Sequence, residues 1–400
     1  MNPDSSSARV LAFVNIAHAL DHFVLLIFPT AVIVIAAERG LAYSDLIGLS
    51  TGAFVAFGLF SLPVGWLADR VGRRAMLAAF FFGYGATCLG LATASTPTSF
   101  MLWLLALGVA SAIYHPVGSA LLVTHARRLG RDLGRNAVWG NLGAASASGV
   151  TALIASQLGW RAGFVAPGLL CIAVGIAFLA LVPGGGVDQP GGRGAAGHMQ
   201  TGSVSRPLAI GLLLALAVMA GGMTFNMATI AMPKLIDERL GLPLPLALTG
   251  SLVTAVFAFG AVTQFTVGRL VDRVALPRVF VALTMMQPLG LALAALTTGV
   301  PMLLGLVAVM AAVYGQVVVN DAMIARYVPP VYRAKAFGLR YFLGFTASGF
   351  AVPLIAALHA RGGFPLVLGV AAAFGVLILA AAIGFALAAR PTAGDLAPAD

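Results

Sequence analysis

GWLADRVGRR at residues 65–74 and GRLVDRVALPR at residues 268–278 are two copies of one charged turn. Each lies between two long apolar runs, 45–68 and 75–95 around the first, 246–271 and 278–298 around the second. Aligning the copies puts Asp69 on Asp272. Working outward, Pro29 meets Pro233, and ASASG (145–149) meets FTASG (345–349). Three matches in the same order, at offsets of 200 to 204 residues, point to an internal duplication.

A segment must offer roughly 20 mostly apolar residues to cross a bilayer. Twelve stretches do so: 9–37, 45–68, 75–95, 98–126, 133–158 and 161–183, then 207–236, 246–271, 278–298, 301–326, 334–359 and 363–389. Pro116, Pro288 and Pro353 fall inside runs, where kinks are expected. Between the sixth and seventh runs, 184–206 is dominated by Gly, Pro and Ser and reads as a flexible linker. The expected fold is all-α, with six-helix bundles at 1–183 and 207–400.

Of 400 residues, 60% are apolar and only 9% charged. A soluble domain carries about a quarter charged residues, so this surface belongs in lipid. Seventeen Lys and Arg fall in the segments that share a side with the N-terminus, and five in the opposite ones. That asymmetry predicts both termini in the cytoplasm of a bacterial-type inner membrane. It also accounts for the net charge of +10 without nucleic acid. No cleavable signal precedes the first span. Cys88 and Cys171 are too few and too separated for a disulfide framework or a zinc site. No GxxxxGK[ST] loop and no nucleophile–base pair is present, so neither ATP hydrolysis nor another enzymatic activity is expected. No cofactor is implied, and no sensor or signalling domain is appended.

Gly65, Asp69, Arg70, Gly72, Arg73 and Arg74 together resemble the signature of the major facilitator superfamily. The resemblance extends through helix count, linker position and the second copy, Asp272 and Arg273. It implies two six-helix halves with nested inverted repeats, a monomer, and a cytoplasmic latch in which Asp69 meets the other half in one state. Arg73 and Arg74 also serve as ordinary inner-face anchors. In the second copy, Val274–Pro277 replaces the glycine and arginines, which weakens that latch. AHALDHFVLLIFPTAV (17–32), GVASAIYHPVGSALLVTHA (108–126) and GRNAVWGNLGAASASG (134–149) are similar to stretches of fosmidomycin-resistance-type efflux proteins, with Val117 where that group has an acidic residue.

Charges at membrane depth cost several kcal/mol unless paired or wet. Of thirteen acids, only Asp21 and Asp321 lie well inside spans. His18 and His22 share a helical face with Asp21, and His115 with Tyr114 lies at similar depth on helix four. Helices one, four, seven and ten line the central cavity in this superfamily, so the resemblance gathers Asn226, Asn320 and Asp321 there too. Asp21 with His22 or His115 is the expected proton-coupling site, because a desolvated carboxylate and imidazoles exchange protons near neutrality. The bland reading is an interhelical hydrogen-bonded clamp. Arg340, beside Tyr341, reads as an anion-binding group, as the counter-charge of Asp321, or as a snorkelling anchor. The expected function is proton-coupled transport of a small organic solute, an efflux of a drug-like or anionic compound. The alternative is divalent-metal transport through His18, Asp21, His22 and His115.

Overall fold

The structure is a computed structural model that describes residues 3–126, 129–184, 207–271, 273–328 and 330–388. Every element among them is helical: α1 (Pro3–Leu25), α2 (Ile27–Arg39), α3 (Tyr43–Leu49), α4 (Thr51–Val71), α5 (Arg73–Thr93), α6 (Pro97–Ser111), α7 (Tyr114–His125), α8 (Leu129–Leu158), α9 (Ala162–Leu181), α10 (Pro207–Arg239), α11 (Leu246–Leu270), α12 (Leu276–Leu296), α13 (Gly299–Tyr327) and α14 (Pro330–Ala388). Eleven apolar segments are long enough to cross a membrane. The last of them covers two spans, because α14 breaks at Gly362 and at Gly363, whose φ is +62°. Twelve spans follow. The linker from residue 185 onward and Asp272 lie outside the described residues.

Spans one and four are each two helices. α1 and α2 are separated at Leu26, and α6 and α7 at Ala112–Ile113. Each break lies three or four residues before a proline, Pro29 and Pro116, where the ring displaces the carbonyl it would otherwise face. Pro233, Pro288 and Pro353 sit inside helices that continue past them. The kink expected at Pro116 is therefore an interruption just upstream of it, whereas α12 and α14 are not interrupted at theirs.

The chain divides into two compact units. One comprises Met1–Ala196, Ile230–Ala258 and Ser348–Ala360; the other comprises Gly197–Thr229, Phe259–Ala347 and Arg361–Asp400. In the first, α1 packs on α8 with almost no side chain between the backbones. A Cβ at Gly143 would fall 2.0 Å from the Ala19 carbonyl oxygen, and one at Gly108 equally close to that of Ala53. In the second, Ala217, Phe280, Leu283, Val319, Met323 and Phe385 form the core. Large apolar side chains on the outside, among them Leu59, Phe265, Leu289 and Leu296, are exposed, as a lipid-facing surface requires.

Candidate functional site: a buried carboxylate among histidines

The break in span four places Ser111 and His115 on either side of a local unwinding, both facing α1. Asp21 on α1 is 0% exposed. Its Oδ1 accepts from Tyr84 Oη on α5 at 2.6 Å and from Ser111 Oγ on α6 at 2.9 Å. Its Oδ2 lies 3.4 Å from His115 Nε2 on α7. One carboxylate thus ties three spans together. A buried carboxylate is tolerated only when hydrogen-bonded in this way.

The histidines surround it. His18 Nδ1 lies 2.8 Å from the main-chain oxygen of Asn136 on α8, and its Nε2 lies 3.2 Å from His22 Nε2. The Tyr114 ring stacks on His18 at 4.9 Å, and the His115 ring stands edge-on to His18 and His22 at 5.5 and 5.8 Å. One nitrogen from each of His18, His22 and His115 lies within 4.8 Å of the others. These are the residues that could hold a divalent cation, as three neutral imidazoles can, but the same closeness serves a cluster that shares protons.

His18, Asp21, His22, Tyr114 and His115 therefore meet as expected. Four partners were not anticipated: Tyr84, Ser111, Asn15 and Asn136. Asn136 Nδ2 donates to Asn15 Oδ1 at 3.0 Å and contacts Tyr114 Oη at 3.0 Å. Gly140 was missed as well; a Cβ there would fall 2.5 Å from His18 Nε2, so only glycine leaves room for the ring.

The remaining candidates lie in the second unit. Asp321 pairs with Arg340, the guanidinium mostly covered and the carboxylate half exposed. That contact favours the counter-charge reading of Arg340 over snorkelling. Asn226 donates to the Gly222 carbonyl on its own helix at 2.8 Å, and Asn320 is buried. The side chain of Tyr341 lies outside the described residues.

In the charged turn, Gly72 has φ +96°, a region other residues rarely adopt. Gly65 faces Pro116, a Cβ there falling 3.6 Å from the proline's. Asp69 lies 3.7 Å from Arg73, which also donates to Thr124 Oγ1 at 3.2 Å, and Arg70 lies over the Trp66 ring. Arg273 is exposed.

A membrane-spanning helical chain with an internal repeat and a polar cluster buried at mid-span has the build of a transporter rather than an enzyme. The sequence matches the Major Facilitator Superfamily over residues 11–315 and 214–400, and the chain belongs to that family. It is 31% identical over 176 residues to the membrane sensor protein UhpC of Escherichia coli strain K12, covering 42% of this chain and 39% of UhpC. It is 26% identical over 179 residues to a probable L-galactonate transporter of the same strain, covering 44% of this chain and 39% of that one. These matches span about two fifths of each relative. Among solved structures, a bacterial homolog of the human lysosomal transporter Spinster, inward-facing and occupied, superposes with TM-score 0.75 at 14% identity, covering 98% of this chain and 99% of that one. The peptide transporter POT in complex with sulfate gives TM-score 0.74, also at 14% identity, with 97% and 99% covered. At that identity the likeness shows the fold.

Proposed function

We propose that this chain is a proton-coupled secondary transporter that moves a small organic solute, drug-like or anionic, outward across a bacterial inner membrane by alternating access. In this reading it works as a monomer with both termini cytoplasmic, and the repeat-defined halves 1–183 and 207–400 are the moving parts. The resemblance of spans one, four and five to fosmidomycin-resistance-type efflux proteins supports export.

The observation that carries the reading is Asp21. It is the one acid with no exposed surface among the described residues, and it is met by hydroxyls and an imidazole rather than by Lys or Arg. A carboxylate with such neighbours can change its proton count without leaving a bare cation behind. In the second unit, Arg340 beside Asp321 offers a fixed positive group for an anionic solute.

The test has two stages. A thermal-shift screen of the purified protein at two pH values, with carboxylates, phosphonates, sugar acids and nucleosides, identifies a ligand. Flux of that ligand in proteoliposomes under an imposed pH gradient is then compared between wild type and Asp21→Asn. Loss of gradient-driven flux in protein that still folds and still binds the ligand is the expected outcome. Undiminished flux would show that Asp21 is only a clamp. Binding without any flux would favour a receptor instead, the role that the name of UhpC gives to that relative.

A further inference from the structure

His18 Nε2 and His22 Nε2 lie 3.2 Å apart, one turn from each other on α1, and His115 on α7 joins them. One nitrogen from each ring lies within 4.8 Å of the other two. An ion bound tetrahedrally through bonds of about 2.0–2.1 Å holds its donors about 3.3 Å apart. The α1 pair already has that spacing, and moving His115 inward by at most about 1.5 Å completes the triad. All three rings are partly exposed, so their nitrogens are not sealed from a dissolved ion.

The surroundings prepare these nitrogens as ligands. His18 Nδ1 lies 2.8 Å from the main-chain oxygen of Asn136, which can only accept, so Nδ1 carries the hydrogen and Nε2 keeps its lone pair. A metal-binding histidine is usually oriented in this way, its second nitrogen donating to a carbonyl. Tyr84 and Ser111 hold Asp21 by Oδ1. Its Oδ2 accepts no hydrogen bond of normal length and lies 3.4 Å from His115 Nε2. One negative charge is thus turned toward three neutral donors, a partial balance for a doubly charged cation. A nitrogen-rich set suits a late first-row transition ion, whereas Mg²⁺ and Ca²⁺ require oxygen ligands.

We propose that His18, His22 and His115 form a regulatory site for a divalent transition ion, Zn²⁺, Co²⁺ or Ni²⁺, whose binding arrests the carrier. The ligands and the groups that orient them, Asp21, Tyr84, Ser111 and Asn136, all belong to one repeat half. Relative motion of two halves leaves such a set unchanged, and a ligand held equally in both states is not released by the transition between them. The ion is therefore a resident inhibitor and not cargo. Its binding follows from the donor geometry alone. The arrest rests on the coupling reading above, which needs Asp21 and the rings around it unoccupied.

Co²⁺ alone tests the site on the full chain in detergent, with any polyhistidine tag removed. Tetrahedral Co²⁺ absorbs visible light far more strongly than the octahedral aqua ion, so the geometry reads out directly. One Co²⁺ per chain with these bands is expected, displaced by Zn²⁺ but not by Mg²⁺. His22→Gln and His115→Gln should each lose the bands and bind at least about tenfold more weakly. His359→Gln, which removes the imidazole 3.4 Å from Glu238, should change nothing. Bands and affinity that survive both ligand variants, or that vanish with His359→Gln, overturn the site. Should the ligand variants fail to fold, zinc-edge X-ray absorption of the wild type decides. Imidazole scattering beyond neighbours at about 2.0 Å supports the site, and its absence overturns it.

The arrest is read in proteoliposomes as gradient-driven flux of the screened ligand, which saturating Zn²⁺ should stop. Undiminished flux with the site filled overturns the arrest, and Zn²⁺ carried into the vesicles overturns the inhibitor assignment. If Co²⁺ binds as expected while Asp21→Asn keeps full flux, the metal site stands and the coupling reading falls. If no site is found while Asp21→Asn stops flux, coupling stands and the metal site falls.

Discussion

Spans one and seven descend from one ancestral segment and carry a proline at matching places, yet they resolve it differently. Before Pro29 the first-half span is interrupted at Leu26, and its partner span is interrupted again before Pro116. α10 continues past Pro233. The two interruptions flank the titratable cluster, with Asp21 and His22 just before one and Ser111 and His115 on either side of the other. The second unit instead holds its one carboxylate well inside a span in an ion pair between α13 and α14, with no helix break beside either residue. The polar cluster that sits beside irregular backbone lies in the first half. The second half kept the frame.

The largest difference between the halves should appear where backbones touch. Gly143→Ala pushes a Cβ to 2.0 Å from the Ala19 carbonyl. Neither backbone can yield without parting α1 from α8, a loss of about 3 kcal/mol. Gly344, one residue past the second-half counterpart position, has nothing within 4 Å of such a Cβ. Gly344→Ala should be neutral or gain about 0.5–1 kcal/mol in helix propensity. Thermal unfolding in detergent measures both, and equal losses would break the comparison.

The prolines come next. Pro233→Ala restores an amide donor to a helix that already runs through the position, and should stabilise by about 2 kcal/mol, part of the usual cost of an interior proline. Pro29→Ala should add little stability, because α1 already ends at Leu25 and α2 begins at Ile27, so its restored amide has no continuous helix to complete. It should instead cut gradient-driven flux by allowing α1 and α2 to fuse. A stabilised, fully active Pro29→Ala would mean that the break serves no function.

How much of this could be read beforehand divides along the same line. The spans and the repeat were legible because lipid imposes a length and a polarity on every crossing, and one charged turn between two crossings recurs, though degenerate, in the second half. The gathering of His18, Asp21, His22 and His115 was legible because mid-span charges are rare. Tyr84, Ser111 and Asn136 were not, since one hydroxyl or amide in an apolar run looks the same whether it binds a carboxylate or its own helix. Gly140 was hidden for a different reason. A glycine in a helix gives no sign of which side chain needs the space it leaves.

A smaller effect lies in the repeated turn. Gly72 has φ +96°, while Ala275, which aligns with it, has φ −55°. Gly72→Ala should cost about 1–2 kcal/mol from the left-handed backbone alone. Ala275→Gly should cost well under that, through chain entropy. Unfolding midpoints in detergent compare them, and a tolerated Gly72→Ala would mean that the glycine answers to something other than conformation.

The smallest expected effect concerns the two mid-span carboxylates themselves. Asp321 is half exposed beside Arg340, so solvent screens the pair, and a double-mutant cycle with Asp321→Asn and Arg340→Gln should give a coupling below about 1 kcal/mol. The cycle of Asp21→Asn with Tyr84→Phe, made in a site closed to water, should give more, because each single change leaves a buried partner unmet. The sign of the flux change in Asp321→Asn then separates the roles of Arg340. If Arg340 only neutralises Asp321, removing the carboxylate leaves a bare cation in the span and lowers flux of every ligand. If Arg340 meets an anionic solute, removing its internal competitor tightens that solute's binding, and the apparent affinity rises as the ion pair is lost.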